Sequence, residues 1–124
     1  MAGISKEFAF SASHQLHGLA DNHQCARLHG HNYVVRVELE GQVDPRGFVV
    51  DYGDLAPFKR WIDNTLDHSH LNDVFTVNPT AEHLARELCG VLRNVLTPHH
   101  VRLIEIGVSV SETPKTWATY IEKW

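Results

Sequence analysis

Histidines are the residues of this sequence best suited to chemistry. The chain holds 10 histidines among 124 residues, and His29 and His31 flank Gly30 in a His-Gly-His motif. In an extended segment, side chains two residues apart point to the same face, so both imidazoles can reach one metal ion. The alternative is that the motif arises by chance in a histidine-rich chain, or that both rings are hydrogen-bonded surface groups.

A third metal ligand must come from another part of the chain, and His14, at the end of the first predicted strand, is the natural candidate. If the first two strands pair antiparallel, the end of one lies beside the start of the other, which brings His14 next to His29 and His31. Three histidines with an open fourth position are typical of catalytic zinc, whereas structural zinc is usually closed by thiolates. The pattern therefore predicts a catalytic zinc site.

Cys25 and the Asp67-His68 pair are the other candidates for catalysis. Cys25 lies in a polar loop just before the His-Gly-His motif, where a nearby cation would favour a thiolate able to act as base or nucleophile. Cys89, on an apolar helix face, is predicted to be a buried core residue instead. Asp67 beside His68 has the form of an acid–base pair, although His68 could simply cap a helix. The histidines predicted to lie on the surface are His70, His83, His99 and His100.

The elements that must position these residues follow from the hydrophobic pattern. Alternation of apolar and polar residues predicts four strands, over residues 4–12, 32–40, 104–110 and 116–122. Apolar residues at helical spacing predict a first helix that begins at Asp54. They predict a second helix that begins at Asn78 or Thr80 and is stopped by Pro98. A short extended piece is predicted over residues 48–52.

The order strand, strand, helix, helix, strand, strand predicts an α+β fold. We expect one domain over residues 1–124, with a four-stranded antiparallel sheet and both helices on one of its faces. Such a sheet has two open edges, and open edges invite pairing with another chain. An oligomer is therefore expected.

Composition argues against two classes of protein. The net charge of −4 and the absence of a lysine and arginine cluster argue against a nucleic-acid-binding surface, which would show as a basic stripe. No apolar run approaches the roughly 20 residues that a membrane-spanning helix needs. The first residues lack the apolar stretch of a signal peptide, so a cytoplasmic location is expected.

Six motifs, in order along the chain, resemble those of the 6-pyruvoyltetrahydropterin synthase family. They are FSASH at 10–14, CARLHGHNY at 25–33, GFVVDY at 47–52, LDH at 66–68, PTAE at 79–82 and SET at 111–113. The resemblance covers essentially the whole chain. It implies the tunnelling fold (T-fold) of that family, whose order of strands and helices is the one predicted above.

The resemblance also implies roles for individual residues. Zinc would be bound by His14, His29 and His31, Cys25 would be the general base, and Asp67 with His68 would handle the second proton. Glu112 would accept N–H bonds from the pterin, Thr80 and Glu82 would line the pterin pocket, and Arg27 is a candidate phosphate contact because of its charge. Members of the family are homohexamers, two trimers stacked head to head, with active sites at subunit interfaces. Cys25 and His68 of one site can therefore come from different chains.

The spacing of Cys25 from the His-Gly-His motif indicates a branch of the family. Three residues lie between Cys25 and His29, fewer than in the animal-type pyruvoyl synthases. This resembles the bacterial 6-carboxytetrahydropterin synthase branch of the queuosine (7-deazapurine) pathway, and implies conversion of 7,8-dihydroneopterin triphosphate to 6-carboxytetrahydropterin, acetaldehyde and triphosphate. Three alternatives stay open: the pyruvoyl synthase reaction without carbon–carbon cleavage, a pterin- or purine-binding protein without catalysis, and a zinc hydrolase for which Cys25 is dispensable.

Overall fold

A computed structural model describes residues 1–124 and contains one mixed sheet of five strands, in the order β3-β1-β2-β4-β5. The strands are β1 (Ala2–His14), β2 (His29–Gly41), β3 (Ser69–His70), β4 (Leu103–Ser111) and β5 (Ala118–Lys123). β3 pairs parallel with β1, and every other pair is antiparallel. All four predicted strands are present. The predicted four-stranded antiparallel sheet is wrong in one respect, because the two-residue β3 adds a parallel fifth strand with no alternation to reveal it.

The helices are α1 (Ala56–Thr65), α2 (Leu71–Val74) and α3 (Ala81–Leu96), with 3-10 turns at Gln24–Ala26, Tyr52–Leu55 and Thr97–His99. Thr80 caps α3 and its hydroxyl accepts the N–H of His83, which confirms the predicted start of that helix. The predicted start of the first helix at Asp54 is wrong. The carboxylate of Asp51 accepts the N–H of Gly53 and opens a 3-10 turn, and α1 begins only at Ala56. The segment 48–52 bends at Val49 and Val50 and enters the 3-10 turn at Tyr52, so the predicted extended piece is also wrong.

Both long helices cover the same face of the sheet. Alternate residues of the strands, such as Phe8 and Val35, form one core with residues of α1 and α3, such as Phe58 and Leu88. The rings of Phe8 and Phe58 meet edge to face with centroids 5.2 Å apart. This confirms the prediction that both helices lie on one face. None of the helices is long and apolar enough to cross a membrane.

Candidate metal centre and active site

Three histidine side chains meet where the β1–β2 ladder ends. The antiparallel register places His14 opposite His29 and Ala12 opposite His31. Because side chains alternate between the faces of a strand, all three rings lie on the face that carries the core. One nitrogen atom from each ring lies within 4.8 Å of the other two. The predicted meeting of these histidines is confirmed, and together they could hold one metal ion.

Backbone carbonyl groups determine which nitrogen carries the proton on two of these rings. Nδ1 of His14 lies 2.8 Å from the carbonyl oxygen of Pro79, and Nδ1 of His29 lies 2.7 Å from that of Arg27. A carbonyl oxygen only accepts, so both Nδ1 atoms donate and both Nε2 atoms present lone pairs. These Nε2 atoms are 2.9 Å apart, yet two lone pairs cannot hydrogen-bond to each other. The two rings are therefore arranged to share a cation.

The ring of His31 also has a nitrogen atom without a hydrogen-bond partner. Its Nε2 atom is buried and has no hydrogen-bond partner, which costs about 1–3 kcal/mol for a polar group. A carboxylate oxygen of Glu112 lies 3.9 Å from this atom. Burial lowers the pKa of His14 and of His31, because desolvation penalises the charged imidazolium. Both rings thus favour the neutral form that binds metals, and the three residues fit a metal ion with nitrogen ligands.

Several groups that orient the histidines could not be seen in the sequence. The hydroxyl of Tyr33 lies 3.2 Å from Nδ1 of His14, and burial raises the pKa of Tyr33. The carbonyl groups of Pro79 and Arg27 act as outer partners of the kind that fix the orientation of metal-binding imidazoles. Any residue type has such a carbonyl, so no sequence signal could have identified these two. At Gly30 a side chain would crowd the Ala12 carbonyl, at 3.3 Å, which explains a glycine between the two ligands.

A cavity of about 530 Å³ next to the histidines is lined by three of the four residues predicted to bind substrate. Glu112, Thr80 and Glu82 all line it. The hydroxyl of Thr80 is already engaged as the cap of α3. Arg27 does not line the cavity and is exposed. Its contribution to the histidine cluster is its backbone carbonyl, which the charge of its side chain did not suggest.

Cys25 lies half-buried in the first 3-10 turn, in the loop before β2. Its N–H donates to Nδ1 of His23, 3.0 Å away, and its carbonyl accepts the N–H of Leu16, also at 3.0 Å. The thiol itself makes no hydrogen bond within the chain. Cys89, in contrast, is fully buried and its thiol donates to Glu122. Burial raises the pKa of Cys89 to about 12, which confirms it as a core residue.

The Asp67-His68 pair lies along the outer side of β1, between α1 and β3. Ser11 holds both residues: its N–H donates to Oδ1 of Asp67 at 2.9 Å, and its carbonyl accepts the His68 N–H at 2.6 Å. Oδ2 of Asp67 lies 3.0 Å from Nδ1 of His68. The hydrogen bond from Ser11 lowers the pKa of Asp67, because it favours the charged carboxylate. α1 already ends at Thr65, so His68 is not its cap.

His68 has two further properties that set it apart. Its φ of 60° lies in the left-handed region, which costs a non-glycine residue about 1–3 kcal/mol. Its side chain is 84% exposed. No hydrogen bond or ion pair within the chain joins Asp67 or His68 to Cys25 or to the three histidines. His68 and His31 nevertheless line one cavity of about 460 Å³, which Cys25 does not line.

The remaining histidines only partly match the prediction that they lie on the surface. His99 and His100 are exposed as predicted. His70 and His83 are half-buried, which corrects the prediction for these two. Nδ1 of His70 lies 2.9 Å from the Ser13 hydroxyl, and Nδ1 of His83 donates to the carbonyl of Asn78 at 2.7 Å. The partner of His70 is 57 residues away in sequence, whereas that of His83 is only five residues away.

Comparison with known proteins agrees with the motifs and the fold. Residues 3–123 match the family model described as 6-pyruvoyl tetrahydropterin synthase. The 6-carboxy-5,6,7,8-tetrahydropterin synthase of Synechocystis sp. is 34% identical, over 87% of this chain and 89% of its own. A Haemophilus influenzae protein of the same name is 30% identical, and the match covers 98% of this chain and 100% of that protein. The structure of Caenorhabditis elegans 6-pyruvoyl tetrahydropterin synthase superposes with a TM-score of 0.82 at 31% identity. The superposition covers 98% of this chain and 96% of the C. elegans chain. The chain therefore belongs to the 6-pyruvoyl tetrahydropterin synthase family.

Proposed function

We propose that this protein is a 6-carboxy-5,6,7,8-tetrahydropterin synthase. It would convert 7,8-dihydroneopterin triphosphate and water to 6-carboxytetrahydropterin, acetaldehyde and triphosphate. The observation that carries the proposal is the histidine cluster, with its unpaired nitrogen lone pairs, beside a cavity that contains Glu112. The names of the Synechocystis and Haemophilus relatives and the short spacing from Cys25 to His29 support this branch over the pyruvoyl one.

His14, His29 and His31 would hold a zinc ion, which suits three neutral imidazoles and an open position. Zinc, when bound there, polarises the oxygen atoms of the substrate side chain and makes the adjacent C–H more acidic. The carbonyl groups of Pro79 and Arg27 keep the imidazoles of His14 and His29 in the tautomer that presents Nε2. The chain thus supplies ligands that are already oriented before any metal binds.

Glu112 is the residue that would orient the pterin. A carboxylate can accept two parallel N–H bonds from the guanidine-like edge of the ring. Its oxygen lies 3.9 Å from Nε2 of His31, so the proposed pterin site adjoins the histidine cluster. Thr80 and Glu82, at the start of α3, would form the adjoining wall. The exposed side chain of Arg27 is proposed as a contact for the triphosphate.

Cys25 would remove a proton from the substrate side chain as a thiolate, and His68 would move the second proton while Asp67 holds its ring. Because no hydrogen bond or ion pair joins Cys25 to Asp67 or His68 within one chain, we propose that they meet across a subunit interface. The exposed imidazole of His68 supports this arrangement. The outer edge of β5, and that of β1 ahead of its short pairing with β3, have no partner strand in the sheet. A homohexamer of two stacked trimers would cover these edges.

The experiment that tests the reaction is incubation of the zinc-loaded protein with 7,8-dihydroneopterin triphosphate, followed by mass analysis of the pterin and an acetaldehyde assay. We expect 6-carboxytetrahydropterin together with acetaldehyde in equal amounts. A 6-pyruvoyl product without acetaldehyde would instead assign the activity named for the C. elegans relative. No conversion by fully metallated protein would contradict both, and would favour a pterin-binding role. Turnover that survives Cys25→Ala would point to a hydrolase.

A further inference from the structure

Two asparagine side chains continue the hydrogen-bond pattern of the sheet beyond the end of β1. The N–H of Gln15 donates to Oδ1 of Asn72 at 2.9 Å, and Nδ2 of Asn72 donates to the Gln15 carbonyl at 2.8 Å. His17 makes the same reciprocal pair with Asn78, at 3.1 and 3.0 Å. Asn72 and Asn78 are together called the asparagine clamp below. Each amide takes the place of one residue of a neighbouring strand.

The segment held by the clamp carries Cys25 on its other side. Leu16, between the two clamped residues, donates its N–H to the Cys25 carbonyl at 3.0 Å. The side-chain amide of Gln15 donates to the carbonyl of Ala26 at 2.9 Å. These two hydrogen bonds connect the clamped segment, residues 15–17, to the turn around Cys25. Leu16 also lines the cavity that contains Glu112.

One half of the clamp is anchored beside the histidine cluster. Asn78 precedes Pro79, whose carbonyl accepts the Nδ1–H of His14. Asn72 lies in α2, next to the fully buried Leu71. Loss of the clamp would free the turn around Cys25 to move relative to the three histidines.

We infer that Asn72 and Asn78 are positioning residues that fix the cysteine loop, residues 15–27, relative to the histidine cluster. Only an amide fulfils this role. Each side chain must accept a hydrogen bond from the backbone N–H of one residue and donate a hydrogen bond to the carbonyl of that same residue. Aspartate only accepts, and would place an oxygen against the Gln15 carbonyl. Serine is too short to span both groups. The catalytic part of this inference depends on the role proposed above for Cys25.

The test compares Asn72→Asp and Asn72→Ser with the same two changes at Asn94, which is exposed on α3 and makes no side-chain hydrogen bond. The first measurement is hydrogen exchange of the Leu16 amide by NMR, which needs no substrate. We expect exchange at Leu16 to become at least about tenfold faster in both Asn72 variants, with no change at the core amide of Val35. Both Asn94 variants should behave as wild type.

The second measurement is the kinetics of the zinc-loaded proteins with the pterin triphosphate. We expect kcat of the Asn72 variants to fall on the order of 10- to 100-fold, as expected for a misplaced catalytic group. KM and the metal content per chain should stay close to wild type, because Glu112 and the histidines are not displaced. A purely structural role would lower the thermal midpoint and leave kcat per folded, metallated chain unchanged, which would overturn the inference.

Unchanged exchange at Leu16 would overturn it as well, whatever the kinetics show. The two measurements also separate this inference from the proposed function. If wild-type protein converts no pterin, the reaction assignment fails, but faster exchange at Leu16 still supports the clamp. Asn78→Ser, measured in the same way for the His17 amide, tests the second half of the clamp independently.

Discussion

The histidine cluster and the Asp67-His68 pair lie on opposite sides of β1. They differ in how far their side chains are buried and held by partners within the chain. The cluster sits between β1 and β2 on the core face, where His14 is fully buried and backbone carbonyls orient two of the rings. The pair lies on the β3 side of β1, and the imidazole of His68 projects into solvent. The histidine cluster is called the closed region below, because two of its rings find their partners within one chain. The Asp67-His68 pair is called the open region, because the His68 ring faces solvent.

Under the proposed function, the two regions would carry separate steps of one reaction. Burial lowers the pKa of His14 and His31 and leaves nitrogen lone pairs without partners, so this region is prepared for a cation before any other chain arrives. His68 is held in a left-handed conformation by contacts with Ser11 and has no partner for the far side of its ring. Such strain often occurs at functional sites, and the side chain of His68 is 84% exposed.

The largest expected effect is on the closed region. His29→Ala should lower the affinity for zinc by more than about 100-fold, because even outer partners of a metal ligand are worth about 10- to 100-fold. Turnover should disappear with the metal. Metal content of the purified protein, measured by mass spectrometry of the elements, checks this, with His99→Ala as the matched control at an exposed position. Full metal occupancy in the His29 variant would contradict the ligand set.

The next effect concerns the open region and the proposed interface. Cys25→Ala and His68→Ala should each reduce kcat by about 10²- to 10⁴-fold, the usual range for a general acid or base, with metal content unchanged. If the two residues of one site come from different chains, equal mixing of the two variants restores both wild-type residues in about one quarter of the sites of a symmetric oligomer. Activity per chain after co-expression measures this.

The control for that mixture is Cys25→Ala combined with the Cys25/His68 double variant, which should stay inactive. Mixed single variants that also stay inactive would show that Cys25 and His68 serve the same chain. His68 would then have to reach Cys25 through a conformational change within one chain.

The smallest effect is on stability in acid. The Ser11 N–H lowers the folded-state pKa of Asp67 below the unfolded-state value of about 3.9. The unfolded chain therefore binds more protons as the pH falls below that value, so the contribution of Asp67 is present at neutral pH and is lost in acid. We expect the difference in urea midpoint between wild type and Asp67→Asn to shrink between pH 7 and pH 3. Asp21→Asn, at an exposed position, should show no such trend, and a constant difference for Asp67→Asn would refute the assignment.

Much of the fold could be predicted from local patterns. The alternation around Tyr33 and Val35 specified β2, and the stripe through Leu84 and Leu88 specified α3, because both patterns extend over many residues. The pairing of β1 with β2 followed from their order in the chain and brought His14 to His29. β3 could not be predicted, since two residues have no period. The start of α1 was misplaced because Asp51 and Asp54 are both suitable caps, and only the 3-10 turn decides between them.

The sequence by itself determined the types and spacing of the groups that can do chemistry: two histidines on one strand face, a third at the end of its partner, and a cysteine in a polar loop. Only the tertiary structure decided their chemical state. The proton on His14 is fixed by the carbonyl of Pro79, 65 residues away, and Cys25 is held through the asparagine clamp. The exposure of His68 was also invisible in the sequence. Hydrogen bonds to the backbone and the depth of burial depend on which segments meet in space, and carbonyl groups are the same in every residue.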